Sequence, residues 1–193
     1  MSSEAIDVLA FWFGVPGEAD YGAQRRLWFR KSEATDREIA GRFGALIDRA
    51  LGGELSAWAD QADTALAQVL LLDQFTRNVF RDTPSAFAGD ARALAAARAM
   101  VAAQQDEALL PVRRAFVYLP FEHAEDLAAQ DEAVRLFTRL VAAAPALADM
   151  LDYAQRHRAV VQRFGRFAHR NAILGRASTA EEAAFLLEPG SSF

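Results

Sequence analysis

Cysteine is absent from this chain, lysine occurs once, at Lys31, and the longest strongly apolar run is Ala65 to Leu72. Without thiols there are no disulfides, no cysteine nucleophile, and no zinc or iron-sulfur site built on thiolate. An apolar run of that length falls far short of the roughly 20 residues that a membrane helix needs. The N-terminal Met-Ser-Ser-Glu-Ala-Ile-Asp has neither the basic region nor the long apolar stretch of a secretory signal, so a cytoplasmic location is expected. Alternating runs of Val, Ile and Thr are also missing, which argues against β-strands. The lysine-bearing phosphate loop, the dinucleotide glycine fingerprint, the Gly-x-Ser-x-Gly elbow and the EF-hand loop are lacking as well, so no cofactor and no metal site is expected.

What is present is a chain of 193 residues, 52% hydrophobic and 24% charged, with a net charge of -5. That composition is globular, and the length suits one domain spanning 1–193. A net negative charge disfavours the broad basic surface that drives nucleic-acid binding. It does not disfavour a local cationic site, and one is visible. From Tyr153 to Ala180 stand six arginines (Arg156, Arg158, Arg163, Arg166, Arg170, Arg176) and two histidines (His157, His169) without one Asp or Glu.

Apolar residues recur at helical spacing throughout, and the chain reads as all-α, with about nine helices in antiparallel hairpins. Ser3 to Phe13 is a first helix closed by Gly14. Thr35-Asp36-Arg37-Glu38 reads as a capping box for a helix that ends at Gly52-Gly53. Asp63 to about Phe80 is apolar on every side in its first half and is expected to be the buried core helix. Asp90 to Gln104 follows a Thr83-Pro84 start. Pro111 and Pro120 bracket a short helix from Val112 to Leu119, and a longer one runs from Phe121 to Ala144. Pro145 opens a helix that reaches Phe164 and is capped by Gly165. A short turn from Arg170 to Leu174 and a last helix behind a box at Ser178-Thr179-Ala180-Glu181, reaching about Leu187, complete the chain. Trp12, Trp28 and Trp58 are expected in the core.

Three strings can carry chemistry. Asp73, Arg77 and Arg81 fall on one face of the core helix at i,i+4 steps, beside Asn78. Glu122, Asp126 and Gln130 would align on the next polar helix, with His123 facing Asp126, and a carboxylate that orients an imidazole is the minimum apparatus for acid/base catalysis. His157 lies on the apolar stripe of its helix and reads as a buried structural histidine, whereas His169, after a glycine-broken turn, is better placed to meet a ligand. The candidate catalytic residues are therefore Glu122, His123 and His169. The candidate ligand-binding set is Arg77, Asn78, Arg81, Glu122, His123, Asp126, Arg163, Arg166, His169, Arg170 and Asn171. The expected ligand is a small anionic molecule or an acidic peptide, with Arg77, Arg166 and Arg170 as forked donors. One alternative is a hydrolase or lyase using Glu122 and His123. Another is an interior network in which the arginines pair with Glu122, Glu125, Asp126 or Asp73.

Phe11-Trp12-Phe13-Gly14, Trp28-Phe29, Gly53 through Trp58, Leu72 through Asn78 with Phe80-Arg81, Tyr118 through His123 with Glu125-Asp126, and Arg163 through Asn171 followed by Leu174-Gly175-Arg176 and Ser178-Thr179 occur in this order. Together they resemble domain-of-unknown-function family 924, a largely bacterial family. The resemblance implies a helical fold similar to tetratricopeptide-repeat proteins, a right-handed superhelical array, and by that analogy a binding role. Where the family pattern has proline this chain carries Thr76 and Ala168, and it has Ala124 where serine is expected.

Overall fold

A computed structural model of the chain describes residues 2–19, 21–28 and 30–191. Phe29, part of one motif above, lies outside the described residues. Among those described there is no strand, and the all-helical expectation holds. The helices are α1 (Ser3–Phe13), α2 (Glu33–Gly52), α3 (Ala62–Leu70), α4 (Thr76–Val79), α5 (Asp90–Ala102), α6 (Pro111–Glu122), α7 (Leu127–Ala143), α8 (Ala148–Phe164) and α9 (Ala180–Phe185). A π turn, Leu71–Phe75, joins α3 to α4, so the three form one continuous central helix. Among the described residues no helix is long and apolar enough to cross a membrane.

The first half of the central helix is buried because its sequence leaves almost no polar surface there. Ala65, Leu66, Ala67, Val69, Leu70, Leu71, Leu72 and Phe75 all lie in the core. It packs against α1, α5 and α6, while α7 packs between α6 and α8. Around its lower end sits an aromatic cluster. The Trp12 ring lies 5.3 Å from Phe75 and 5.9 Å from Phe116, and Trp28 stacks edge-on to Phe116 at 4.8 Å. The indole N–H of Trp28 donates to the Trp12 carbonyl at 2.8 Å, a polar tie added to the packing of both rings on Phe116. A small satellite core of Val160, Val161 and Phe167 anchors the C-terminal segment separately.

Several local expectations are corrected. The cap of α2 is Ser32, whose hydroxyl accepts the Thr35 N–H at 3.3 Å, and Thr35 is inside the helix. The Asp36 carboxylate is free of capping duty and binds Asn78 and Arg81 instead. Helix α6 runs through Pro120 to Glu122, because a proline in the last turn forfeits only one backbone bond. The chain then breaks at 123–126. Asp126, extended at φ -143, caps α7 by accepting the Ala129 N–H at 2.8 Å. The long helix expected from Phe121 is thus two elements, and Glu122, Asp126 and Gln130 share no face. Gln130 folds back, its amide donating to the carbonyls of Glu122 and Ala124 at 2.6 and 2.7 Å. The second capping box is present one residue on, with Thr179 and Glu182 exchanging bonds.

Candidate functional site

The polar centre is built where four elements meet. The π turn places Asp73 in the core, 1% exposed, and such turns often mark functional positions. Gly89 then lets the N-terminus of α5 approach the same turn, since a Cβ at Gly89 would lie 2.1 Å from the Leu72 carbonyl oxygen. That approach delivers Asp90, the first residue of α5. The end of α6 contributes Glu122 and His123, and the C-terminal segment after Gly165, a left-handed cap at φ 70, contributes Arg170.

Their contacts are dense. The Asp73 carboxylate meets His123 Nδ1 at 2.7 Å, Arg77 Nη1 at 3.1 Å and the Gln74 amide at 2.6 Å. Arg77 forks onto Asp90, with Nη1 to Oδ1 at 2.8 Å and Nη2 to Oδ2 at 3.0 Å. Arg170 reaches the same Asp90 Oδ2 at 3.3 Å and the His123 carbonyl at 3.0 Å. Its guanidinium stacks between Phe87 and Phe167, at 4.7 and 4.5 Å from the ring centres. Two carboxylates thus face two guanidinium groups, and the formal charges cancel.

Electrostatics follow from this geometry. Burial opposes ionisation of Asp73, but Arg77 and His123 outweigh it and hold the carboxyl well below the ordinary carboxylate range. Burial pulls the His123 imidazole below 6.5, only partly countered by Asp73, so the ring is neutral at pH 7. An ionised Asp73 can only accept, which assigns the proton to Nδ1 and the lone pair to Nε2. No described residue hydrogen-bonds Nε2, and the side chain keeps 15% of its surface. The imidazole therefore presents an oriented, basic nitrogen outward.

Glu122 faces the other way. Its side chain is 4% exposed, with Oε1 3.1 Å from His157 Nδ1, and burial followed by repulsion from Asp73 pushes its carboxyl up to about 8. His157 is buried, as its position on the apolar stripe predicts, and burial drops it to about 3. His169 is lowered to about 4, first by burial and then by Arg170, and its ring lies 5.7 Å from Phe167.

Of the predicted site, Arg77, Glu122, His123, His169 and Arg170 come together. The others do not. Asn78 and Arg81 bind Asp36 on α2, at 2.8 and 3.0 Å: α4 ends at Val79, so Arg81 no longer follows the face that carries Asp73 and Arg77. Arg163 pairs with exposed Glu181, and Arg166 forks onto Glu182 at 2.6 and 2.8 Å, both within the C-terminal segment. Asp126 is a helix cap. Asn171 is buried, donating to Ser178 and accepting from Arg176. Arg163, Arg166 and Arg170 do pair with acids, as the interior-network alternative expects, but with Glu181, Glu182 and Asp90; of the acids expected there, Asp73 is taken by Arg77 and Glu125 by Arg176. Sequence reasoning missed Asp90, Phe87 and the Arg176–Glu125 fork at 2.6 and 2.9 Å. The glycine before Asp90 is the one signal that could have flagged a close approach there.

Residues 8–190 match the family described as "Bacterial protein of unknown function (DUF924)". The solved structure of the protein of unknown function ATU0120 from Agrobacterium tumefaciens is similar. It is 39% identical over 95% of this chain and 96% of that one, with a TM-score of 0.82. No curated protein matches the chain.

Proposed function

The chain belongs to the bacterial DUF924 family, and on that premise we propose that its working centre is the Asp73–His123 pair, acting as an acid/base site on a small molecule. The observation that carries this reading is the imidazole itself: Nδ1 is held at 2.7 Å by a buried carboxylate while the ring stays partly exposed. A neutral imidazole with a free Nε2 can take a proton from water or from an acidic C–H, and Asp73 stabilises the imidazolium that forms. The cluster then gains one positive charge, with Arg77 and Arg170 beside it, as negative charge develops on the substrate. Asp73 replaces Asp126 as the orienting carboxylate, and the reaction class is a hydrolysis or an elimination. A tetratricopeptide-like array of hairpins remains part of the proposal as the scaffold.

An alternative, recognition of a small anion or acidic peptide by the arginines, has less support. Any such anion must displace Asp90 from both Arg77 and Arg170. The interior-network reading is favoured by one observation, the complete charge balance of the cluster.

The test is turnover of activated esters, phosphate esters and thioesters by the wild-type protein, with His123→Asn and Asp73→Asn as comparisons. The proposal expects turnover of at least one class, reduced by about 10²-fold or more in His123→Asn at unchanged folded content. Turnover that survives His123→Asn refutes it. Variants that shift only the melting temperature, with a wild-type protein inert across the panel, establish the network reading.

A further inference from the structure

Glu122 is the one buried acid of the centre without a guanidinium. Its Oε1 meets the His157 ring, and its Oε2 has no hydrogen-bond partner. His157 Nδ1 also lies 2.9 Å from the Tyr153 carbonyl, which accepts its proton, so the imidazole is held by its own helix while it touches Glu122. On its other side the His157 ring packs edge-on to Phe167 at 5.4 Å. Phe167 is fully buried and is where the C-terminal segment docks. Its N–H donates to Glu125 at 2.8 Å and its carbonyl accepts from Arg176 at 3.1 Å. Glu122 therefore sits one ring away from the residue that seats the segment 165–176.

We propose that Glu122 and His157 form a pH-sensitive latch: the protonated carboxyl seats the C-terminal segment against the polar centre, and loss of that proton to solvent releases it. The groups facing Glu122 explain why release is the response. Glu122 shares the centre with Asp73 and Arg77 of the central helix, Asp90 of α5, His123 at the end of α6, and His169 and Arg170 of the segment, while the Gln130 amide of α7 takes its backbone carbonyl. The carboxyl itself touches His157 of α8, and the charge that acts on it is that of Asp73. Arg77 and Arg170 are already shared by Asp73 and Asp90. An ionised Glu122 therefore adds a second negative charge beside Asp73 with no cation left for it, and it can be solvated only if the segment moves.

The sign follows from linkage. The folded-state value, about 8, lies above the unfolded value of 4.5, so this stabilisation is complete below 4.5 and is lost as pH rises through about 8. The latch does not depend on the acid/base reading, because its readout is hydrogen exchange.

The experiment is hydrogen exchange by mass spectrometry on 165–176, comparing wild type with Glu122→Gln at each pH so that intrinsic exchange cancels. The expected result is equal protection at about pH 4.5 and exchange that rises faster in wild type than in the variant from there to about pH 8, by well over about tenfold at the upper end. A ratio that stays constant across this range overturns the proposal. Should Glu122→Gln not fold, the side-chain carboxyl resonance of Glu122 in the wild-type protein decides. Titration near pH 8 together with loss of segment protection supports the latch, and titration in the ordinary range, or protection unchanged through it, overturns it.

Discussion

Gly89→Ala should be among the most damaging small substitutions in this protein, and its cost can be worked from the coordinates. The backbone at Gly89, with φ -88 and ψ -12, is one that any residue adopts, so the substitution creates no torsional strain. The cost is steric alone. A new Cβ would stand 2.1 Å from the Leu72 carbonyl oxygen and 2.8 and 2.9 Å from its carbon and Cα, against an ordinary separation of about 3.5 Å. The obstacle is backbone of the central helix, which cannot rotate away, so the N-terminus of α5 must retreat by roughly 1 Å. Overpacking of that kind costs about 1–3 kcal/mol. Drawing Asp90 away from Arg77 and Arg170 adds about 1 kcal/mol, taken low because Asp90 keeps 21% of its side-chain surface. The sum is roughly 3 kcal/mol, or about 6–12 °C in melting temperature for a chain of this size. Urea denaturation should show the midpoint falling with an unchanged slope. Gly165→Ala is the control. It forces a side chain into φ 70 but meets no atom within 4 Å, so it should cost only about 1–2 kcal/mol. A Gly89→Ala protein within about 0.5 kcal/mol of wild type would refute the close approach and, with it, the placement of Asp90.

Two further outcomes follow from the same geometry. Asp73→Asn leaves the half-buried Arg77 with one carboxylate and His123 without its anchor, and should destabilise by about 3–5 kcal/mol in urea titration. Acid should destabilise the protein early. With His157 held at about 3 and His169 at about 4 by burial, both below 6.5, these two rings bind more protons in the unfolded chain than in the native one as pH falls from 6.5, partly offset by Glu122, which the native chain keeps protonated down to 4.5. His157 alone contributes about 1.4 kcal/mol per pH unit across that window, and a His157→Gln protein should show a correspondingly flatter decline between about pH 6 and 4.5.

Helices with long apolar patterns were legible from residues alone. Ser3–Phe13 and the start and end of the Pro145 to Gly165 segment are found as expected, and the core helix is buried along its full apolar half. Misreadings cluster at caps and breaks, where several residues compete for one role. Ser32 displaces Thr35 because Asp36 is claimed by Arg81 from a distant part of the chain, which local sequence cannot reveal. The break at 123–126 was hidden by a continuous polar pattern. Helical spacing aligns Gln130 with Glu122 and Asp126, yet its amide caps the end of α6. For the site, the residue types were visible and their pairing was not. His123 carries the open nitrogen as the motif suggested, but its carboxylate comes from residue 73, fifty positions away. Helical spacing pointed to Asp126. The acid-free arginine block is likewise real in the sequence and neutralised in the fold, because its acids lie before it on α5 and the 123–126 turn or after it on α9.

The central claim is that Asp73 holds His123 as a neutral, Nδ1-protonated base with Nε2 turned outward. Long-range proton–nitrogen correlation of the three imidazoles tests it directly across pH. The account predicts that His123 shows a protonated Nδ1 and a lone-pair Nε2 at neutral pH, and that it takes up its second proton only below 6.5. A His123 ring that carries its proton on Nε2, or that is already charged at neutral pH, would contradict it.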